Sequence, residues 1–394
     1  MKNLKAFAAC LIVTAIFVVV GCQWAGGNKN GKTEQNEKNS IKIGAILPLT
    51  GKLSMMGEVE KKAMSLAEED ANREGLQQIQ IRFEDSKGTA KDAVAAANKL
   101  INIDSVDLLI TSTTGVSLAT VPVAAEKKKN LIAFCMDPDI AKSSPYVMRF
   151  YIGINEEAKA INEYFKENQE SIKHVGIVYA QVPALEKVVK NNYVPFLEGL
   201  NVNIPLIESY KIGESDFKTT VLKIKNAKLD HLIVLGYGFQ YPQLFQELKQ
   251  NNLLNELQII GGWGFLYTQV DPVLLEGVLV SGPDYVFKNQ EIAGDFYERY
   301  HEKFGTYPNF DAAFAYNVIY SVSKYLKKEN FEKPIKDVFI QMDTLKGVVG
   351  TFRFTKDGAM IVSTGLGVYK DGRIVAFEND DKSETLPAKG EEAQ

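Results

Sequence analysis

The sequence predicts an α/β protein built as two lobes in tandem, each a mostly parallel sheet covered by helices. Three observations carry this. Strand-like alternation and helix-like spacing of apolar residues follow one another with short joins, which is the pattern of parallel sheets buried on both faces. The same grammar restarts near residue 156. The chain also has 394 residues, 45% hydrophobic and 24% charged, enough for one very large domain or two medium ones.

The N-terminus is a sorting signal. Lys2 and Lys5 precede an uncharged apolar run from Ala6 to Val20. That run suits a signal peptide but falls short of the roughly 20 residues a permanent membrane helix needs. It ends in Val19-Val20-Gly21-Cys22, similar to a bacterial lipobox, so residues 1–21 are expected to be removed and Cys22 to carry acyl chains. An ordinary secretory peptide with an incidental Cys22 is the alternative. Residues 22–40 are polar and glycine-rich and read as a tether. Cys10 leaves with the leader and Cys22 takes the lipid, so Cys135 stands alone and no internal disulfide is expected.

The first lobe opens with a strand at Ile41, Ile43, Ala45 and Leu47, then a helix with Val59, Ala63, Leu66, Ala67 and Ala71 on one face. Ile79, Ile81 and Phe83 alternate as a strand; Val94, Ala97 and Ile101 mark a helix; Val106 to Ile110 is a buried strand. A helix near Leu118 to Lys128 leads to a strand at Leu131 to Phe134. In the second run, helices carry Ala158, Ile161 and Phe165, then Leu185, Val188, Val189 and Phe196, then Phe217, Val221 and Ile224, then Leu244, Phe245 and Leu248. Its strands are Val175 to Tyr179, Leu232 to Leu235 and Ile259-Ile260. A third section has a strand at Val278 to Val280, helices at Ile292 to Phe304 and Ala312 to Lys328, and two hairpins turning at Asp357-Gly358 and Asp371-Gly372.

Composition excludes several function classes. A net charge of −4 argues against a nucleic-acid binder, and three histidines make a histidine metal cluster hard to build. Gly51-Lys52 lacks the glycine spacing of a phosphate loop, Gly261-Gly262-Trp263-Gly264 is no dinucleotide fingerprint, and no metalloprotease motif is present. No enzymatic activity, cofactor or metal is expected.

From Ile41 to about Phe377 the chain resembles the type I periplasmic binding proteins, in the branch of the branched-chain amino acid receptors of ABC transporters. Several blocks carry the resemblance: Ile41 to Gly51 with Gly57, Glu68 to Asn72, Tyr146 to Phe150, Ser215 to Phe217, Leu235 to Gly238, and Gly347 to Phe354 with Asp357-Gly358. The resemblance implies two Rossmann-like lobes joined by a three-strand hinge, with crossings near 149–153, 280–284 and 343–347. One lobe is expected from 41–150 plus 283–345, the other from 151–282 plus 346–378, with a polar tail at 379–394. A ligand would bind between strand-end loops and close the lobes, and an ABC permease with its ATPase would receive it. A monomer is the family default.

The same resemblance implies a ligand site. Ser112, Thr113, Thr114 and Ser117 are candidates to hold a ligand carboxylate through neutral donors, with helix capping as the alternative. Cys135, Asp137 and Asp139 occupy the next loop, where either acid would receive an ammonium or simply form the Asp-Pro turn. The amino-acid receptors carry an acidic residue in the equivalent of Gly261 to Gly264; this chain has Trp263 there, and Met56 where an aromatic residue is expected. With Tyr151, Tyr237 and Phe239 these suggest an apolar, aromatic-walled pocket. The expected function is an extracytoplasmic, lipid-anchored receptor for a small amino acid or a related apolar or aromatic carboxylate or amide. A ligand sensor of the same fold, or a lipoprotein without a small ligand, is the alternative.

Overall fold

The computed structural model describes residues 39–137, 139–288 and 295–377, and the chain from Ser40 onward forms one compact unit. The expected leader, Cys22 and the tail at 379–394 lie outside the described residues, as does nearly all of the tether.

In the first lobe, β1 (Ile41–Leu47) is buried at every residue but Lys42, as a strand covered on both faces should be. The chain continues through α1 (Ser54–Arg73), β2 (Ile79–Asp85), α2 (Ala90–Asn102), β3 (Leu108–Ser112), α3 (Thr114–Glu126), β4 (Asn130–Phe134) and β5 (Val147–Arg149). These five strands form one parallel sheet in the order β2-β1-β3-β4-β5. Helix α1 starts so close to β1 that a Cβ on Gly57 would lie 2.3 Å from the Pro48 carbonyl oxygen. Only glycine fits there.

The second lobe runs α4 (Ile154–Glu167), β6 (His174–Ala180), α5 (Pro183–Val188), α6 (Val194–Gly199), β7 (Asn203–Tyr210), α7 (Lys218–Ala227), β8 (His231–Leu235), α8 (Tyr241–Gln250), β9 (Gln258–Gly261) and β10 (Leu279–Pro283). The sequence predicts one helix where α5 and α6 stand. A π-helical turn at Val189–Tyr193 separates them, next to Pro195, whose missing N–H interrupts the helical ladder.

The chain then supplies α9 (Asp284–Lys288), α10 (Phe296–Phe304), α11 (Phe310–Tyr325) and α12 (Lys336–Phe339). Helices α10 and α11 return to the first lobe and pack on α1. There the buried Asp70 carboxylate takes both Arg299 and the Tyr316 hydroxyl, the latter at 2.9 Å. Strands β11 (Leu345–Gly347), β12 (Gly350–Phe354) and β13 (Met360–Val362) form a small antiparallel sheet bridged to the end of β5 through Arg149 and Ala359. Its aromatic side chains, Phe352 and Phe354, pack on Phe150 with ring centroids 5.5 and 5.2 Å away. Strands β14 (Thr364–Lys370) and β15 (Arg373–Ala376) complete the second sheet, ordered β15-β14-β10-β9-β8-β6-β7.

The last passage between the sheets therefore falls at Ser363, later than the 343–347 read from sequence, because the aromatic β11–β13 unit stays with Phe150. The β14–β15 hairpin turns at Asp371-Gly372 as expected, both with positive φ, 51° and 77°. Buried Arg149 ties two passages together by donating to the Tyr151 carbonyl at 3.0 Å and the Met360 carbonyl at 3.1 Å.

Gly57→Ala tests the tight start of α1. Overpacking of this kind costs about 1–3 kcal/mol, so the thermal midpoint is expected to fall by several degrees in a calorimetric scan. An unchanged midpoint would mean that α1 shifts freely.

Candidate functional site

The parallel strands of both sheets aim their carboxyl ends at one seam between the lobes. A cavity there is lined by Thr113 and Thr114 after β3, by Phe134 to Met136 at and after the end of β4, and by Tyr151 after β5. Met56 on α1 completes that side; across from it stand Val182, Ala184, Leu185, Tyr237 and Trp263. Its volume is about 30 Å3, room for a single water. Three contacts bridge the lobes beside it. Lys52 donates to the Ile212 carbonyl at 3.0 Å, Lys187 pairs with Asp139, and the Trp263 ring lies 6.2 Å from Phe310 of α11. A solute enters only if these contacts part.

The loop after β3 is strained. Thr113 has φ 72° and ψ 150°, a region otherwise reserved for glycine, at a cost of order 1–3 kcal/mol. Its carbonyl is held by the Ser117 N–H at 3.0 Å and the Ser117 hydroxyl at 2.7 Å. Helix α3 begins there with no side-chain cap, so its first N–H groups keep donor capacity at the cavity edge. These backbone donors and the Thr113 and Thr114 hydroxyls suit a carboxylate.

Not every residue expected at the site reaches the cavity. Ser112 is the last residue of β3, which runs two residues beyond the apolar stretch; it is buried and donates to Glu60 Oε1 at 2.7 Å. Ser117 is buried behind Thr113 and also accepts from the Thr111 hydroxyl at 2.9 Å. Asp137 accepts from the Asp139 backbone N–H at 2.9 Å, the turn arrangement. Asp139 faces away, and hydrogen bonds from Lys187 and Lys142 hold its carboxyl below the usual range. The structure thus brings neither acid to the cavity. Met56, Thr113, Thr114, Cys135, Tyr151, Tyr237 and Trp263 do line it. Burial pushes the Cys135 thiol up to about 11, which keeps it protonated and unreactive.

Trp263 is fixed from two sides. Its ring stacks on Tyr267 at 5.4 Å and meets Tyr237 edge-on at 5.3 Å. Its backbone N–H donates to Glu157 Oε2 at 2.6 Å. That carboxylate fills the space beside Gly262, where a Cβ would lie 2.3 Å from Glu157 Oε1. Glu157 Oε1 has no hydrogen-bond partner, and burial pushes the group up to about 8. Two more buried acids flank the site. Glu60 Oε2 is unpartnered and burial raises the group well above the carboxylate range. Asp311 accepts from the Tyr151 hydroxyl and is pushed up to about 7 by burial. The sequence reading missed all three. Each is a lone acid in an apolar helical stripe, and that was the available signal.

A second groove, about 760 Å3, lies beyond α5 and is lined by Lys142, Arg149, Glu156 and Asn192, among others. It is larger, and its lining carries many charged side chains, including Asp139, Arg149 and Lys187, whereas the lining of the first cavity carries none.

A family model described as periplasmic binding protein matches residues 40–372. The Leu/Ile/Val-binding protein homolog 3 of Brucella melitensis is 25% identical over 235 residues, which is 58% of this chain. The match spans 62% of that relative's length. Among solved structures, the branched-chain amino acid transporter substrate binding protein LivJ from Streptococcus pneumoniae, in complex with isoleucine, superposes with a TM-score of 0.73 at 22% identity, covering 86% of this chain and 98% of that one. An ABC-transporter solute binding protein from Rhodopseudomonas palustris BisB5, in complex with 3,4-dihydroxy benzoic acid, gives 0.76 at 19% identity, with 86% and 96% covered.

Glu157→Gln tests the brace on Trp263. A carboxyl raised from 4.5 to about 8 favours the folded state at low pH and loses that contribution as pH rises through this window. Wild-type thermal midpoints are therefore expected to fall between pH 5 and 8.5 more steeply than those of the variant, whose amide oxygen still accepts from Trp263. Parallel curves would mean that Glu157 does not titrate there.

Proposed function

The chain belongs to the periplasmic binding protein family, in its branched-chain amino acid receptor branch, and from that premise we propose that it captures a small, mostly apolar carboxylate between its lobes and delivers it to an ABC permease. One observation carries the reading. Every cavity-lining residue is uncharged in its resting form, and most are apolar or aromatic, while the neutral donors cluster at Thr113 and Thr114. A carboxylate held on those donors leaves an apolar or flat body against Tyr237 and Trp263. Both solved neighbours described above hold a ligand of that kind, isoleucine in one and 3,4-dihydroxy benzoic acid in the other.

Closure is the signal in this reading. A solute that touches both lobes favours the closed form by its differential affinity, and the permease recognises that form. The receptor works outside the cytoplasmic membrane, the location the family implies. No helix among the described residues is long and apolar enough to cross a membrane. Anchoring through lipid on Cys22 is part of the proposal and rests on the Gly21-Cys22 junction.

A thermal-shift panel of amino acids, amides, aromatic acids and short carboxylates, run on protein unfolded and refolded to remove bound solute, tests this. A ligand at about 100 times its Kd adds about 2.7 kcal/mol, so at least one carboxylate is expected to raise the midpoint by several degrees. Trp263→Ala is expected to abolish that shift, and also to lower the ligand-free midpoint because the ring is buried against Tyr237 and Tyr267. Silence across the panel, or binding untouched by Trp263→Ala, would contradict the reading.

A further inference from the structure

The larger groove carries polar groups that the protein itself leaves unmatched. Its walls belong to different lobes: Asp139, Thr355 and Asp357 stand on the first, and α4 with the α5–α6 segment on the second. Its volume of about 760 Å3 lies within the range ordinary for small-ligand sites, about 300–1000 Å3. Three atoms of its lining residues have no hydrogen-bond partner: Arg149 Nε, Glu156 Oε2 and Asn162 Oδ1. Arg149 is 1% exposed and Asn162 8%. Leaving such a group unpaired costs about 1–3 kcal/mol, and packing gives no reason for three in one place.

The backbone adds further amides to the same groove. The π-helical turn at Val189–Tyr193 carries Asn191 and Asn192, and both line it. Turns of this kind recur at functional sites. Asn192 accepts from the Asn162 amide at 2.7 Å, so the turn and α4 present their amides together. Val188, Phe196 and Ile361 give the lining apolar patches between the polar groups.

The charged lining groups largely satisfy one another. Asp139 takes both Lys142 and Lys187, Arg149 stands 3.7 Å from Glu156, and Lys159 stands 3.8 Å from Glu163. Five basic side chains line the groove with four acidic ones, so it has almost no net charge to offer an ion. What remains is a mixed set of unmet donors and acceptors. A hydroxyl both donates and accepts, so a row of hydroxyls answers all of them, and the C–H faces of a sugar ring suit the apolar patches.

We propose that this groove binds a short, uncharged saccharide, at a site separate from the smaller cavity. The inference does not rest on the solute reading above. Arg149 and Asn162 supply the buried hydrogen-bonding groups, and the exposed Asn191 marks the rim.

Calorimetry on the refolded protein with trisaccharides of different charge tests this. Maltotriose, cellotriose and triacetylchitotriose are uncharged; trigalacturonate is anionic, and the deacetylated chitosan trimer is cationic. At least one uncharged trisaccharide is expected to bind with a Kd below about 1 mM, and at least about tenfold more tightly than either charged one. Asn191→Trp places a bulky side chain at an exposed lining position. It is expected to weaken that binding at least about tenfold, while the ligand-free thermal midpoint and the carboxylate-induced shift stay as in wild type. Asn192→Ala, which removes an amide from the groove, is expected to weaken it as well. No heat from any uncharged trisaccharide, equal or tighter binding of a charged one, or binding untouched by both substitutions would overturn this inference and leave the solute reading standing. Loss of the carboxylate-induced shift together with saccharide binding in Asn191→Trp would mean that both ligands share one site, and would overturn it too.

Discussion

The hydrogen bond from the Trp263 N–H to the buried Glu157 carboxyl is the contact on which the cleft depends. Glu157 sits in the first half of α4, just after the chain has crossed from the first sheet to the second. Its backbone carbonyl accepts from Ser281 on β10, the second crossing strand, at 3.1 Å. Its carboxyl fills the space a side chain at position 262 would need. One residue of α4 therefore ties β10 to the loop that presents Trp263, and the ring then packs on Tyr237, Tyr267 and Phe310. A group that burial holds largely protonated at neutral pH does this without placing a charge in the core.

From that tie the behaviour of the two lobes follows. Parallel strands deliver their loops to the same seam, and in the closed form the loops leave room for about one water. The closing contacts are few and of different kinds: an aromatic stack at Phe310, a lysine on a carbonyl, and an exposed ion pair of Lys187 with Asp139. Exposed pairs of this sort contribute little, about 0–1 kcal/mol. Such a seam opens at modest cost, so a bound solute that touches both walls is enough to shift the balance. The strain at Thr113 belongs to the same design: the Ser117 bonds hold its carbonyl so that the turn keeps its donors at the cavity edge.

Much of the fold was legible in the sequence. The switch between alternating and helical spacing marks both lobes, and Asp371-Gly372 marks its hairpin, because those signals are local. The last passage between sheets was not legible at 343–347. It depends on Phe352 and Phe354 packing against Phe150, residues far apart in sequence. The candidate site was read in part. Trp263, Tyr151, Tyr237, Met56 and the Thr113–Thr114 turn follow strand ends and were visible by position. Ser112 and Ser117 were misleading, since a hydroxyl near a loop serves equally to satisfy a buried acid or a carbonyl. Glu60, Glu157 and Asp311 were missed because their meaning is tertiary: each becomes informative only once its burial and its partner are known.

Solute binding in this seam against Trp263 can be read directly from tryptophan emission. Only two tryptophans occur in the chain, Trp24 and Trp263, so a Trp24→Phe variant isolates the emission of the second. Titrating it with the solute that binds most tightly should give a saturable change in Trp263 emission whose midpoint matches the calorimetric Kd. Calorimetric binding with the emission of Trp263 unmoved would place the solute elsewhere and contradict the account.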